Sequence, residues 1–306
     1  MTVTYNCERH MEPFVRSLEA QTTRDFVLVV VDNNSTDGTL AALERALERS
    51  SFESMIIRSA ENLGVAAGNN AGIAAARARG TEEWVLIINN DVTFEPALVA
   101  RLTEAAPAKI ITSPLILAGD TDDIWYAGGY FDERRMLSTV HEKVGMPAAA
   151  FLGRAPWETE YAPTTCLAVP MRAFASAEVG AFHEDYFCYY DDADWIYQAR
   201  IRGYRVFVDG TIVLRHFEGG ASGGNRSAFS LYYLTRNRLI FVRRAKGVLV
   251  FASTAVALLL FVFASSVREP RPFFYLRHRL RGWAAGVLSG MKPLLGGDRH
   301  PVGRPA

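Results

Sequence analysis

The chain has 306 residues, 49% of them hydrophobic and 22% charged, a balance that excludes wholesale disorder and leaves room for one large core with or without an appendage. Its 33 Lys/Arg and 33 Asp/Glu cancel, yet residues 219–306 hold 14 basic side chains against two acids, Glu269 and Asp298, which leaves residues 1–218 strongly acidic. A basic tail that is also greasy points to a membrane surface or a phosphate-bearing partner, and away from nucleic acid.

The opening "MTVTYN" leaves only about four residues for a first strand, below the usual five or six, so the natural start is expected upstream of Met1. "FVLVVVD" (26–32) is an unbroken apolar run ending in Asp32, as a parallel strand covered on both faces should read. "STDGTLAALERALERS" follows, with Leu40, Leu43 and Leu47 at helical spacing. Then come a strand at 54–59, an alanine-rich helix near 66–79 stopped by Gly80, a strand at 84–89, a helix at about 96–105 and a strand near 110–113. This alternation predicts a doubly wound α/β sheet.

Residues 114–170 are expected to form loops and short strands. A helix over 191–202 ends at Gly203, followed by strands at 205–209 and 211–216 and a glycine-rich stretch at 218–224. Residues 247–267 lack any charge and are long enough to cross a bilayer. "RRAK" precedes that run, while Arg268, Arg271, Arg277, Arg279 and Arg281 follow it. Basic flanks on both sides argue against one end lying outside, and favour a helix within one leaflet or a re-entrant hairpin using "GWAAGVLSG" (282–290). Cys7, Cys166 and Cys188 have no metal spacing and no even pairing, which fits a reducing compartment. No signal peptide is expected at the N-terminus.

The ends of parallel strands are where such sheets bind ligands. There the chain supplies "TYN" (4–6), "VDNNSTDGT" (31–39), "ENLGVAAGNNAG" (61–72) and "NND" (89–91). Asp32 could bond a ribose or base, or cap a helix; Asn62 and Gly64 could approach a nucleotide, or form a tight turn. Asp91 could hold a cation on a diphosphate, or end a strand. Further on, "FCYYDDADWIYQARIRGYRV" (187–206) crowds Asp191, Asp192 and Asp194 beside Tyr189, Tyr190 and Trp195. A helix cap needs one carboxylate, so the excess suggests chemistry.

Taken in order, "TYN", "VDNNSTDGT", "NLGVAAGNNAG", "NND", "YYDDADW" and the histidine at 216 resemble the family 2 glycosyltransferases with the GT-A fold, over roughly residues 1–216. The likeness is greatest to the bacterial branch that adds rhamnosyl or galactofuranosyl units to envelope glycans, and "DDAD" is similar to the galactofuranosyltransferase wording of a motif otherwise written Glu-Asp-x-Asp. The resemblance implies a GT-A domain over 1–218, with a nucleotide-sugar half of about 1–113 and an acceptor half of about 114–218. Residues 219–306 would be a glycine-rich loop and a membrane-associated tail.

It implies an inverting, metal-dependent transfer from a thymidine- or uridine-diphosphate sugar to a glycan or polyprenyl-linked glycan, at the cytoplasmic face of the membrane through the 247–267 segment. Thr4, Asn6, Asp32, Asn62, Gly64 and Asn90 would meet the donor. Asp91, with Asn89 in place of the motif's first aspartate, would ligate Mg²⁺ or Mn²⁺, joined by His216. Asp192 would be the general base that a poorly nucleophilic hydroxyl needs, with Asp191 orienting it. Asp194, Trp195 and Tyr190 would hold the acceptor. Clustered carboxylates raise one another's pKa, and a cation neutralises the departing diphosphate. Arg226 and the glycine-rich loop would close over the phosphates.

Two rival readings fit less well. A nucleotidyltransferase would need a basic glycine-rich loop after the first strand, which "TYNCERHMEP" lacks. A non-catalytic membrane scaffold on the same fold would be expected to lack carboxylates, yet Asp32, Asp91 and Asp192 are present.

Overall fold

The computed structural model describes residues 1–80, 83–104, 109–217 and 227–292. Strands β1 (Thr2–Thr4), β2 (Val27–Asp32) and β3 (Glu53–Arg58) run parallel, with Val3 beside Val31 and Val30 beside Ile56. Helix α1 (Glu8–Glu19) joins the first two and α2 (Thr39–Leu47) the next two. Helix α1 falls outside the elements expected from the sequence, although Met11, Phe14, Val15 and Leu18 form a buried stripe at spacings of three and four. Pro13 inside the helix obscures that stripe.

After α3 (Gly64–Arg79), strand β4 (Trp84–Ile88) comes alongside β1, where the Ile88 N–H donates to the Met1 carbonyl at 3.0 Å. Next in the chain are β5 (Val92–Phe94), α4 (Leu98–Thr103), β6 (Ile110–Ala118), β7 (Ile124–Tyr126), β8 (Gly129–Asp132), β9 (Ser138–His141), β10 (Trp157–Thr159) and β11 (Cys166–Pro170). Helix α5 (Asp191–Ile201) and strand β12 (Arg205–His216) complete the α/β part. The second half of the sheet runs β10-β12-β6-β11-β4, with β6 and β12 parallel and β11 inserted antiparallel between β6 and β4. The fold is therefore doubly wound, parallel through β1–β3 and mixed in the second part of the sheet.

Two sequence expectations change. Strand β6 runs on to Ala118, past the expected end at 113, and the two strands expected at 205–209 and 211–216 are one strand, β12. Pro114, which cannot donate to a ladder, pairs with Asp209 where the register of β12 slips between Asp209 and Val213. A bulge is where a central strand tolerates proline. The apparent break at Gly210 is that bulge.

Helix α6 (Ala228–Ser266) consists of two helical arms that reverse at Gly247, whose φ of 84° and ψ of −176° lie outside the helical region. Helix α7 (Pro272–Met291) records the reversal. A Cβ on Gly282 would lie 2.3 Å from the Tyr232 carbonyl, while the indole of the next residue, Trp283, donates to the Ala255 carbonyl at 2.7 Å. In a straight helix Tyr232 and Ala255 would stand roughly 34 Å apart. Instead the arms 228–246 and 248–266 lie side by side, with α7 packed against both through Gly282, Gly286 and Gly290.

The expected division after residue 218 is not a packing boundary. Ile240, Phe241 and Val242 of the first arm belong to the main hydrophobic core, beside Phe131, Tyr190 and Tyr197. The second arm shares a separate cluster with α7.

Candidate active site

The strand ends meet in a pocket of about 260 Å³ lined by Thr4, Asn33, Asn62, Gly64, Asn90 and Asp91, with Phe187 and Cys188 as its far wall. Asn62 Oδ1 accepts from the Gly64 N–H at 2.9 Å, closing the turn that starts α3. Gly64 has φ 78°, and a Cβ there would lie 2.3 Å from the Phe187 carbonyl. The Val65 N–H donates to that same carbonyl at 2.7 Å, so the "NLG" turn and the segment before the aspartates are bonded together. Asn90 Nδ2 donates to the Val3 carbonyl at 2.7 Å and Asn33 Nδ2 to the Gly64 carbonyl at 2.9 Å. Asn33 Oδ1 is buried with no hydrogen-bond partner among the described residues, an arrangement that calls for a donor from a ligand or water.

Asp32 and Asn6 are not among the residues lining the pocket and are bonded within the turn that follows β2. The buried Asp32 carboxylate accepts from the Ser35 N–H and the Thr4 hydroxyl, both at 3.1 Å. Asn6 Oδ1 accepts from the Thr36 N–H at 2.8 Å. Together they fix the turn at 33–36.

Asp91 and His216 come together because β5 and β12 pair antiparallel, with His216 opposite Val92 and the Phe217 N–H donating to the Asp91 carbonyl at 2.8 Å. His216 Nε2 lies 3.3 Å from Asp91 Oδ1, and the Trp125 ring meets the imidazole edge-on at 4.5 Å. A carboxylate beside an imidazole suits Mn²⁺ or Mg²⁺ as part of a coordination sphere. Among the described residues no cluster of three ligating side chains exists, so phosphate oxygens and water would have to supply the remaining positions. The two donors fit such an ion; they do not enclose it. Arg226 and the glycine-rich loop lie outside the described residues.

The aspartate cluster begins α5 after an unusual turn. Tyr189 and Tyr190 both have φ 67°, a left-handed conformation that side-chain-bearing residues rarely adopt. The first arm of α6 holds it: buried Asn237 donates through Nδ2 to the Cys188 carbonyl at 2.8 Å and the Tyr189 carbonyl at 2.9 Å. Arg238 Nε donates to the Tyr190 hydroxyl at 2.7 Å, and the Tyr189 hydroxyl bonds Ser230 Oγ at 2.9 Å.

Asp191 is buried, and its Oδ2 has no hydrogen-bond partner among the described residues. Burial, then the neighbouring Asp192 charge, pushes its carboxyl well above the usual aspartate range. Asp192 is half-buried, and its Oδ2 accepts from the Tyr161 hydroxyl at 2.6 Å. Burial raises Asp192 too, opposed by the Tyr161 bond and the N–H groups of Ala193 and Thr164. Burial, then the charges of Asp191 and Asp192, pushes up the thiol of Cys188, a pocket-wall residue three positions before Asp191 in the chain.

The three acceptor candidates, Asp194, Trp195 and Tyr190, are each engaged by other residues of the fold. Asp194 accepts from Arg244 Nε at 2.6 Å in a buried ion pair. Trp195 stacks on Phe174 at 4.9 Å and donates to the Gly180 carbonyl. Tyr190 is buried against Phe241 with its hydroxyl engaged by Arg238. Asp194, Gln198 and Arg202 line a larger cleft of about 830 Å³ that shares no residue with the strand-end pocket. Its size does not make it the reaction site, since Asp91, His216 and the nucleotide-side turns are all elsewhere. Sequence reading missed Asn33, Tyr161 and Asn237, of which only Asn33 lies within a motif.

The strand-end pocket, and the aspartate helix that follows its Phe187–Cys188 wall, sit on an α/β fold of the GT-A type, and the chain belongs to glycosyl transferase family 2, whose profile matches residues 1–150. It is an enzyme of that class. It is 30% identical over 241 residues to the N-acetylglucosaminyl-diphospho-decaprenol L-rhamnosyltransferase of Mycobacterium tuberculosis, in strains H37Rv and CDC 1551, covering 71% of this chain and 75% of the relative. Among solved structures, GalNAc-T7 with UDP, GalNAc and Mn²⁺ superposes with a TM-score of 0.62 at 14% identity, over 90% of this chain. The chain spans about half of GalNAc-T7, the match covering 53% of its length. Staphylococcus aureus TarS 1–349 in complex with UDP-GlcNAc matches with a TM-score of 0.55 at 16% identity, over 99% of this chain and 97% of TarS 1–349. At these identities the two structures support the fold.

Proposed function

We propose that the chain moves a sugar, with inversion, from a nucleoside-diphosphate sugar to a hydroxyl of a lipid-linked envelope glycan, at the cytoplasmic membrane face. The observation that carries this reading is one pocket with two unlike walls. Asp91 beside His216 lies at the nucleotide end, while Cys188 leads to Asp191 and Asp192 at the other.

In this reading Thr4, Asn62, Gly64 and Asn90 hold the donor, and Asp32 with Asn6 shapes the turn beneath it. Asp91 and His216 would hold a divalent cation, which when bound would neutralise the departing diphosphate. Asp192 takes the acceptor proton; its raised pKa makes it a stronger base than an exposed aspartate, and the Tyr161 hydroxyl orients it. Asp191, more deeply buried, has its own carboxyl raised by burial and then by the Asp192 charge, which favours Asp192 as the ionised member of the pair. One base and no assigned carboxylate nucleophile imply single displacement. The name of the mycobacterial relative supports a lipid-linked N-acetylglucosamine acceptor and a rhamnosyl donor. The UDP and Mn²⁺ held by GalNAc-T7 and the UDP-GlcNAc held by TarS support a uridine diphosphate donor and Mn²⁺.

Calorimetry with thymidine- and uridine-diphosphate sugars, in Mn²⁺ and in EDTA, tests the donor and metal assignments together. Binding of neither donor in Mn²⁺ would sink the reading.

A further inference from the structure

We infer that the second arm of α6 and α7 form a hairpin lying within one leaflet of an anionic lipid surface, both arms at the same depth, rather than a bilayer crossing. This rests on the membrane attachment proposed above but not on the chemistry of the pocket.

The second arm, 248–266, exposes Leu249, Val256, Leu260, Phe261 and Phe263 along a face without a charged side chain. By composition it passes as a membrane span. It is not independent, however. Trp283 Nε1 donates to the Ala255 carbonyl at 2.7 Å, and Arg279 donates to the Ser265 hydroxyl at 2.9 Å, so α7 runs antiparallel along it. Wherever the second arm goes, α7 goes too.

Helix α7 cannot cross hydrocarbon cheaply. Arg277 and Arg281 are exposed on its outer face and make no ion pair with the described residues. Helix α7 is 20 residues long, about 30 Å, which matches a hydrocarbon core. Inserted end to end, it would set Arg281 near the midplane, the costliest depth for a guanidinium. Laid in the interface, the same arginines reach headgroups while Phe273, Phe274 and the apolar face of the second arm enter the acyl region. Arg268 and Arg271 in the hairpin turn are exposed as well, and Glu269 between them is paired with Arg279. The free positive charge therefore sits at both the turn and the side of the hairpin, which matches a flat anionic surface.

The close packing that makes this hairpin rigid is built in. Gly286 and Gly290 approach Arg236 and the Phe251 ring so closely that a Cβ would lie 2.7 and 2.5 Å from them. The hairpin is thereby fastened to the first arm of α6 as well as to itself.

Two measurements on the full chain test this. The first is co-flotation with sealed vesicles of phosphatidylcholine alone or mixed with phosphatidylglycerol. Stronger binding to the mixed vesicles is expected, lowered roughly 25-fold by R277Q/R281Q, at about five-fold per basic residue near an anionic surface. Donor affinity by calorimetry checks that the variant is folded, and R268Q/R271Q in the turn is a second variant with no helix contact at stake. The second places single cysteines at Pro270, in the turn, and Lys292, at the opposite end of α7, for an impermeant maleimide on intact cells. Both positions should be labelled, or both protected until permeabilisation. Labelling of one and protection of the other would establish a crossing and overturn the inference. Equal binding to both vesicle types would remove its electrostatic half. No vesicle binding, with a dimer by light scattering, would make the apolar face an interface between copies and end the membrane reading, leaving the glycosyltransferase reading intact.

Discussion

Replacing Asn237 by alanine removes a fully buried side chain that donates to two carbonyls, those of Cys188 and Tyr189, and accepts from Arg236. A buried carbonyl stripped of its partner costs about 1–3 kcal/mol, and two are stripped here. The turn they belong to also holds two left-handed tyrosines, each of which releases on the order of 1–3 kcal/mol if allowed to relax. Water entering the vacated space offsets part of this, so we take about 3 kcal/mol as the loss of preference for the native turn, roughly a hundred-fold in its population relative to relaxed forms. Because Asp191 and Asp192 follow directly, the expected outcome is a fall in kcat of roughly 10- to 100-fold with donor affinity within about two-fold, since Thr4, Asn62 and Asp91 are untouched. Asn237→Asp, which keeps the shape and loses the Nδ2 donor, should fall alongside it. Steady-state release of nucleoside diphosphate gives kcat, and calorimetry gives donor affinity. A variant that loses several degrees of Tm but keeps wild-type kcat would show that the clamp serves stability alone.

Asp192→Asn should abolish transfer by at least roughly 10²–10⁴-fold with donor affinity retained, and a larger defect in Asp191→Asn would move the base by one residue. Because burial raises the Asp192 carboxyl, the acidic limb of the kcat/KM profile should lie above the ordinary aspartate range. Tyr161→Phe removes a donor that favours the ionised form, so the limb should move to higher pH while activity well above it recovers; an unmoved limb would separate Tyr161 from the base. Asp91→Ala should erase the difference in donor affinity between Mn²⁺ and EDTA, and His216→Ala should reduce it. Equal wild-type affinity in both conditions would make the enzyme metal-independent.

How far the sequence could be followed depended on whether the controlling contact was local. Strand β2 was legible because both its faces are buried, which leaves an unbroken apolar run ending at Asp32. The Asn62–Gly64 turn was legible because its bond closes within three residues. The aspartate cluster was visible as composition, but its roles were not. At about 100° per helical residue, adjacent aspartates point to different neighbours, so Asp192 meets Tyr161 while Asp194 turns toward Arg244. Bonds such as Asn237 to Tyr189 span 48 positions and leave no periodic trace. The bulge in β12 was misread as a gap because Gly210 looks like a turn until Pro114 is seen to pair beside it.

The clamp on the Tyr189–Tyr190 turn comes from 228–246, the segment immediately before Gly247 and the apolar arm. A chain made from its N-terminus completes the strands that end at Thr4, Asp32 and Ile88 long before that segment exists. The turn that presents Asp191 and Asp192 must wait for residues 228–246, whose immediate successors are the apolar arm. In the proposed reading, the step that completes the aspartate turn directly precedes synthesis of the hairpin that would meet the lipid surface.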